Sequence, residues 1–137
     1  MVYITRVEHF NAAHKLWNES WSEEKNKAIF GKCANTNFHG HNYELHVTVK
    51  GHPHPDTGFV MNAKELGEIM KTKVVDVVDH CNLNLDVAFM QGKFTSAENF
   101  AVAIWGELKP EIEKLGVQIH CVKLVETMRI YVEYFGE

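Results

Sequence analysis

One stretch limits the possible folds more than any other: His39-Gly-His-Asn-Tyr-Glu-Leu-His-Val-Thr-Val-Lys50. Its apolar residues, Tyr43, Leu45, Val47 and Val49, fall on every second position. That is the period of a strand with one buried face. His39 and His41 are in phase with them, while His46, Thr48 and Lys50 point the other way. A helix would scatter this set around its circumference, so the chain must contain a sheet with one covered face. Because Gly40 contributes no side chain, the two imidazoles stand side by side. Such a pair suits a zinc ion, which takes nitrogen ligands at roughly 2.0–2.1 Å.

The flanking sequence supplies the other elements. Val2 to His14 is rich in β-branched and aromatic residues and reads as a first strand with His14 at its far end. Trp17 to Phe30 is polar and charged and reads as a loop, with at most one helical turn. Gly51 to Gly58, with two prolines and Asp-Thr-Gly, reads as a turn region, and Phe59-Val-Met61 as a short strand or lead-in. Asn62 is placed to cap a helix, with Glu65 three residues on. Leu66, Ile69, Met70, Val74 and Val77 then give one apolar helical face, which ends near Asp76–Asp79. Asn82 to Asp86 reads as a loop. Thr95-Ser-Ala-Glu98 reads as a second capping box, opening a helix whose buried face is Phe100, Ile104, Leu108, Ile112 and Leu115. Pro110 is expected to kink or split that helix, and Gly116 to stop it. Val117–Val125 and Ile130–Phe135 form a hairpin turning near Thr127–Arg129. The order is ββααββ: an α+β domain over residues 1–137, a four-stranded antiparallel sheet with two helices on one face.

Composition removes several classes of function. The net charge is −4 over 137 residues, and Lys and Arg form no dense stripe. A nucleic-acid binder needs a basic footprint, so none is expected. No apolar run reaches the roughly 18–20 residues of a membrane span, and the N-terminus does not read as a signal peptide. Three cysteines, Cys33, Cys81 and Cys121, form no disulfide framework and read as reduced thiols of a cytoplasmic protein. No Gly-rich dinucleotide fingerprint is present; this agrees with a reaction that needs no nicotinamide or flavin.

The candidate chemistry lies in a few side chains. His14 is the natural third metal ligand beside His39 and His41. Three histidines would leave a fourth position open for water or substrate, as catalytic zinc requires; Cys33 in that position would instead close a structural site. Cys33 reads either as a small buried residue or as a thiolate base. Asp79-His80 reads either as a solvated helix end or as a carboxylate-oriented proton shuttle. Glu126, at the mouth of the last hairpin, reads either as an exposed glutamate or as an acceptor for two adjacent N–H donors of a pterin or guanine edge. Glu98 is explained by the capping box alone.

Taken together, Phe10-Asn-Ala-Ala-His14, Gly31-Lys-Cys33, His39-Gly-His-Asn-Tyr43, Asp79-His-Cys-Asn-Leu-Asn-Leu85, Ala97-Glu-Asn99 and Val125-Glu-Thr127 resemble the 6-pyruvoyl-tetrahydropterin synthase family, in order and over essentially the whole chain. The spacing of five residues between Cys33 and His39-Gly-His41 is the most specific part. The resemblance implies the tunnelling fold, in which three subunits join their sheets into a barrel and two trimers stack into a homohexamer with active sites between subunits. It implies one zinc per subunit on His14, His39 and His41. It implies Cys33 as catalytic base, Asp79 and His80 as a proton relay, and Glu126 as the pterin anchor, with Ser96 and Glu98 as further substrate-binding candidates. The implied reaction converts 7,8-dihydroneopterin triphosphate to 6-pyruvoyl-tetrahydropterin with release of triphosphate, in tetrahydrobiopterin synthesis. Arg6, Lys15 and Lys32 are candidates for holding triphosphate by sequence proximity only. The chain departs from the family pattern at Phe38, where a small residue is expected, and at Ser96-Ala97, which offers one hydroxyl where two threonines are usual. The alternatives are a 6-carboxy-tetrahydropterin synthase, which usually has a shorter Cys-to-His spacing, a non-catalytic pterin- or purine-binding module, and a closed structural zinc domain.

Overall fold

A computed structural model describes residues 1–137. Strand β1 spans Val2–His14, helix α1 Glu23–Phe30 and strand β2 His39–Gly51. Helix α2 (Ala63–Met70) runs through a π-helical segment, Lys71–Val75, into the short helix α3 (Asp76–Val78). Strand β3 (Cys81–Asn82), helix α4 (Ala97–Glu113) and strands β4 (Gln118–Thr127) and β5 (Ile130–Tyr134) complete the chain.

The four expected strands form the antiparallel part of the sheet, in the order β1-β2-β4-β5. To it is added a fifth, the two-residue β3, which pairs in parallel with β1 through Ala12 and Ala13, making the sheet mixed. Two residues carry too little alternation to be read as a strand. The β1–β2 ladder is unbroken from Val2↔Gly51 to His14↔His39. Two register shifts interrupt β4. One leaves His120 unopposed beside Thr48 and Val49, so Cys121 and Val122 are both buried despite being neighbours. The other leaves Glu126 unopposed between Val125 and Thr127. Bulges of this kind bend a strand and re-aim side chains, often at sites.

The core fills the space between the sheet and α2–α4. Phe10, Tyr43, Leu45, Val47, Val122 and Leu124 come from the strands; Leu66, Met70, Val74 and Val78 from α2–α3; and Phe100, Ile104, Leu108 and Ile112 from α4. Each fully buried aliphatic or aromatic side chain contributes roughly 1.5–3 kcal/mol relative to exposure. Asn62 caps α2 as expected, accepting the Lys64 N–H at 3.0 Å.

Four local expectations are corrected. Val77 is exposed and Val78 buried, because the π-helical segment adds a residue to its turn and advances the apolar face by one position. Leu115 lies beyond the end of α4 and is also exposed. Pro110 does not split α4: it sits on the exposed side of a helix that runs on to Glu113. The Trp17–Phe30 region holds a true eight-residue helix, α1. Its cap is Ser22, which accepts the Lys25 N–H at 3.1 Å. Its buried anchor is Asn26, which accepts the Asn18 N–H at 2.7 Å and donates to the Asn18 and Ser22 carbonyls at 3.0 Å. A helix held by one buried amide has no apolar periodicity to announce it.

Candidate metal and proton-transfer site

Strand pairing builds the centre of the site. His14 and His39 are direct partners in the β1–β2 ladder, and His41 lies two residues along β2 on the same inward face. Glu126 reaches the same point from β4, on the other side of β2. One ligand atom from each of His14, His39, His41 and Glu126 lies within 4.8 Å of all the others. His41 Nε2 is 3.1 Å from His14 Nε2 and 2.9 Å from a Glu126 oxygen; His14 Nε2 is 3.8 Å from the same oxygen.

The imidazoles are prepared for a cation. His14 is 1% exposed. Its Nδ1–H donates to the Thr95 carbonyl at 2.6 Å, which leaves the Nε2 lone pair facing the cluster. This is the hydrogen bond that orients a metal-ligating histidine. Burial depresses the His14 pKa, and nearby His39 and His41 add to the effect, against the pull of the Thr95 carbonyl. Burial also lowers the His41 pKa, with His39 assisting. Both rings are therefore held neutral, the form that binds metal. His39 Nδ1 is buried without a hydrogen-bond partner. Three imidazole nitrogens and a carboxyl oxygen at this spacing fit a zinc ion. Beneath them, Tyr43 Oη is buried and unpartnered, and burial together with the Glu126 charge pushes its pKa up strongly.

Cys33 lies in a short 3-10 turn, Gly31–Ala34, and is half-buried. Its carbonyl accepts the Leu16 N–H at 2.8 Å, which ties this turn to the chain just past His14. Its thiol is not a member of the close group; the fourth member is Glu126. Asp79 and His80 stand elsewhere, at the outer edge of β1. One Asp79 oxygen accepts the Asn11 N–H at 2.9 Å and the other is 3.0 Å from His80 Nδ1. The Asn11 N–H holds the Asp79 carboxyl below its usual range, with His80 assisting. The His80 N–H in turn donates to the Asn11 carbonyl at 2.6 Å, in a left-handed conformation with φ +60°. Non-glycine residues held there carry strain and often mark functional positions. His80 and His41 both line a cleft of about 490 Å³, together with Asn11, Gly40 and Asn42.

Ser96, rather than Thr95, caps α4, accepting the Asn99 N–H at 3.4 Å. The box is therefore displaced by one residue, and Glu98 is an exposed first-turn carboxylate with no ion-pair partner. Thr95 turns inward instead: its hydroxyl donates to the Lys15 carbonyl at 3.2 Å, while its own carbonyl holds His14. Thr95, Asn84 and Asn11 are positioning residues that the sequence reading missed. The only signal for Thr95 was a pair of adjacent hydroxyls competing for one cap.

A sequence model of the 6-pyruvoyl tetrahydropterin synthase family matches residues 3–137. The 6-pyruvoyl tetrahydrobiopterin synthase of Dictyostelium discoideum is 43% identical over 136 residues, covering 99% of this chain and 97% of that protein. The Homo sapiens enzyme of the same name is 40% identical over 134 residues, covering 98% and 91%. The solved 6-pyruvoyl tetrahydropterin synthase of Caenorhabditis elegans superposes with a TM-score of 0.92 at 37% identity, over 99% of this chain and 96% of that one. The Plasmodium falciparum protein, at 18% identity and a TM-score of 0.62, shares the fold. With the backbone, the histidine cluster and the full-length match in agreement, this chain belongs to the 6-pyruvoyl tetrahydropterin synthase family.

Proposed function

We propose that this protein is a zinc-dependent lyase that converts 7,8-dihydroneopterin triphosphate to 6-pyruvoyl-tetrahydropterin and triphosphate, in tetrahydrobiopterin synthesis. The observation that carries the reading is the buried cluster of His14, His39, His41 and Glu126 in a chain of this family.

His14, His39 and His41 would hold the zinc, one per subunit. When bound, zinc polarises the side-chain hydroxyls of the substrate and acidifies the neighbouring C–H bonds. Cys33, as thiolate, removes a proton from the side chain. His80, oriented by Asp79 at 3.0 Å, returns a proton to the ring. Oxidation of one alcohol is balanced by reduction of the ring, and loss of triphosphate generates the second ketone, so no nicotinamide or flavin is required. Glu126 and Glu98 divide the binding of the pterin. Glu126 lies against the imidazoles, at the metal end; Glu98 is exposed and unpaired, three residues past the carbonyl that holds His14. Ser96 has its hydroxyl on the α4 cap and contributes through the placement of that turn.

Three sheets joined edge to edge, with two such rings stacked, complete the site as a homohexamer. Tyr3, Val7, Ile130 and Tyr131 are exposed on β1 and β5, apolar surface that such an assembly would cover. No helix is long and apolar enough to cross a membrane. The cysteines are all unpaired, which suits a cytoplasmic protein. The Cys33-to-His39 spacing and the choice of Glu126 over Cys33 as fourth group favour this reading over the carboxy-pterin enzyme and over a closed structural site.

The test is to incubate zinc-loaded protein with the substrate and identify the products by mass. A pyruvoyl pterin and triphosphate support the proposal. A carboxy pterin with acetaldehyde, or intact substrate, overturns it.

A further inference from the structure

Phe38 has two unusual properties. Its backbone is left-handed, with φ +66°, a region that non-glycine residues enter uncommonly. Its ring nevertheless reaches an ammonium group: Lys15 Nζ lies 5.1 Å from the Phe38 ring centroid and 5.2 Å from that of Trp17. Both distances are within cation–π range.

Lys15 is half-buried, yet its ammonium makes no hydrogen bond or ion pair within the chain. Its backbone, by contrast, is fixed on both sides. The N–H donates to Asn84 Oδ1 at 2.9 Å, and the carbonyl accepts Asn84 Nδ2 at 3.0 Å and the Thr95 hydroxyl at 3.2 Å. Lys15 follows the metal-cluster residue His14, Phe38 precedes His39, and His14 and His39 are paired. The two-ring contact therefore sits at the open end of the strands that carry the cluster. Lys15 and Trp17 also line a cleft of about 420 Å³ that includes Lys93 and Glu19. Of the other cations near the site in sequence, Arg6 is taken up by Glu8 at 2.9 Å, and Lys32 is exposed.

We propose that Lys15 is the anion subsite of this pocket, receiving the phosphoryl tail of the substrate, and that Phe38 is a positioning residue that holds the Lys15 ammonium over its ring for that purpose. The inference rests on the reading given under the proposed function. An aromatic face restrains an ammonium without neutralising it, leaving its N–H donors for phosphate oxygens. A carboxylate partner would neutralise the charge and compete with the ligand.

The test uses zinc-loaded Cys33→Ala protein, so that turnover does not obscure binding, and compares affinities for 7,8-dihydroneopterin triphosphate and unphosphorylated 7,8-dihydroneopterin. Lys15→Gln is expected to reduce the advantage of the triphosphate by roughly tenfold or more, leaving the unphosphorylated pterin within about twofold. Phe38→Leu keeps apolar bulk without a ring face and is expected to lose roughly three- to tenfold of the same advantage; Phe38→Tyr restores it. An unchanged ratio in Lys15→Gln, or a Phe38→Leu variant that binds as the parent does, overturns the inference. If neither pterin binds the parent, the functional reading fails, and the subsite is judged on magnesium-saturated inorganic triphosphate. Lys15-dependent binding then sustains an anion site, and Lys15-independent or absent binding removes it.

Discussion

The histidine cluster and the Asp79–His80 corner are built in opposite ways. The cluster takes one group from β1, two from β2 and one from β4, all facing inward, and His14 is 1% exposed. The corner hangs on two backbone contacts to Asn11, and the His80 side chain is 79% exposed. Burial, which lowers the His14 and His41 pKa values, and an orienting carbonyl complete the candidate metal cluster within one chain. The proposed proton-relay pair is presented outward, at the rim of a cleft that His80 shares with His41. A histidine in open water has no catalytic environment of its own; in the proposed homohexamer a second copy of the chain would enclose it. The cluster is complete within one chain, whereas the Asp79–His80 corner would be enclosed only in the proposed homohexamer.

The strongest way to break this contrast is to remove a ligand from the finished half. His14→Ala should abolish stoichiometric zinc, measured by elemental analysis, and lower turnover by more than about a thousandfold. Full zinc in that variant would mean that the cluster is not the metal site. Removing the thiol should separate chemistry from metal. Cys33→Ala should keep zinc and melting temperature while kcat falls roughly 10²- to 10⁴-fold. Loss of zinc or of the fold would convert Cys33 into a structural ligand.

The assembly half can then be tested by mixing. If Cys33 and His80 at one site come from different copies, co-assembled Cys33→Ala and His80→Ala chains should regain about one quarter of native sites. No recovery over either variant alone would place both groups in the same copy.

The smallest effect is on stability against pH in the metal-free protein, and it separates the two regions by window. Burial puts the folded-state pKa of His14 and His41 below the unfolded value, near 6.5, so the unfolded chain binds more protons as pH falls through that value. Stability contributed by the cluster is thus present above about pH 6.5 and lost below it. Asp79 is also shifted downward, but from a lower starting value: its contribution holds above about pH 3.9 and is lost only as pH falls further. Melting temperature should drop by about 3 °C or more between pH 7.5 and 5.5. A flat profile there would mean that His14 and His41 are not held neutral by the fold.

Much of this was legible in residue order. The alternation of Tyr43, Leu45, Val47 and Val49 fixed which side of β2 meets the core, and so placed His39 and His41 on that side. Asn62 announced α2. What was not legible depended on single-residue irregularities. The π-helical turn exchanged Val78 for Val77, and the choice of Ser96 over Thr95 as cap released Thr95 to hold His14 and Lys15. Helix α1 was invisible because its anchor, Asn26, is an amide satisfied by backbone groups that only the folded loop assembles.

The sequence alone placed His39 and His41 on the inward face and His14 at the end of its strand, since period-two alternation leaves little choice of face. Only the tertiary structure decided who stands with them. Glu126 joins the cluster because β4 lies beside β2 and bulges at that residue, while Cys33, nearer in sequence, stays outside it. The physical reason is one of range. Side-chain direction along a strand is set by local backbone geometry, and so is written locally; which distant group completes a site is set by sheet order and register, and these follow from burying the whole core at once.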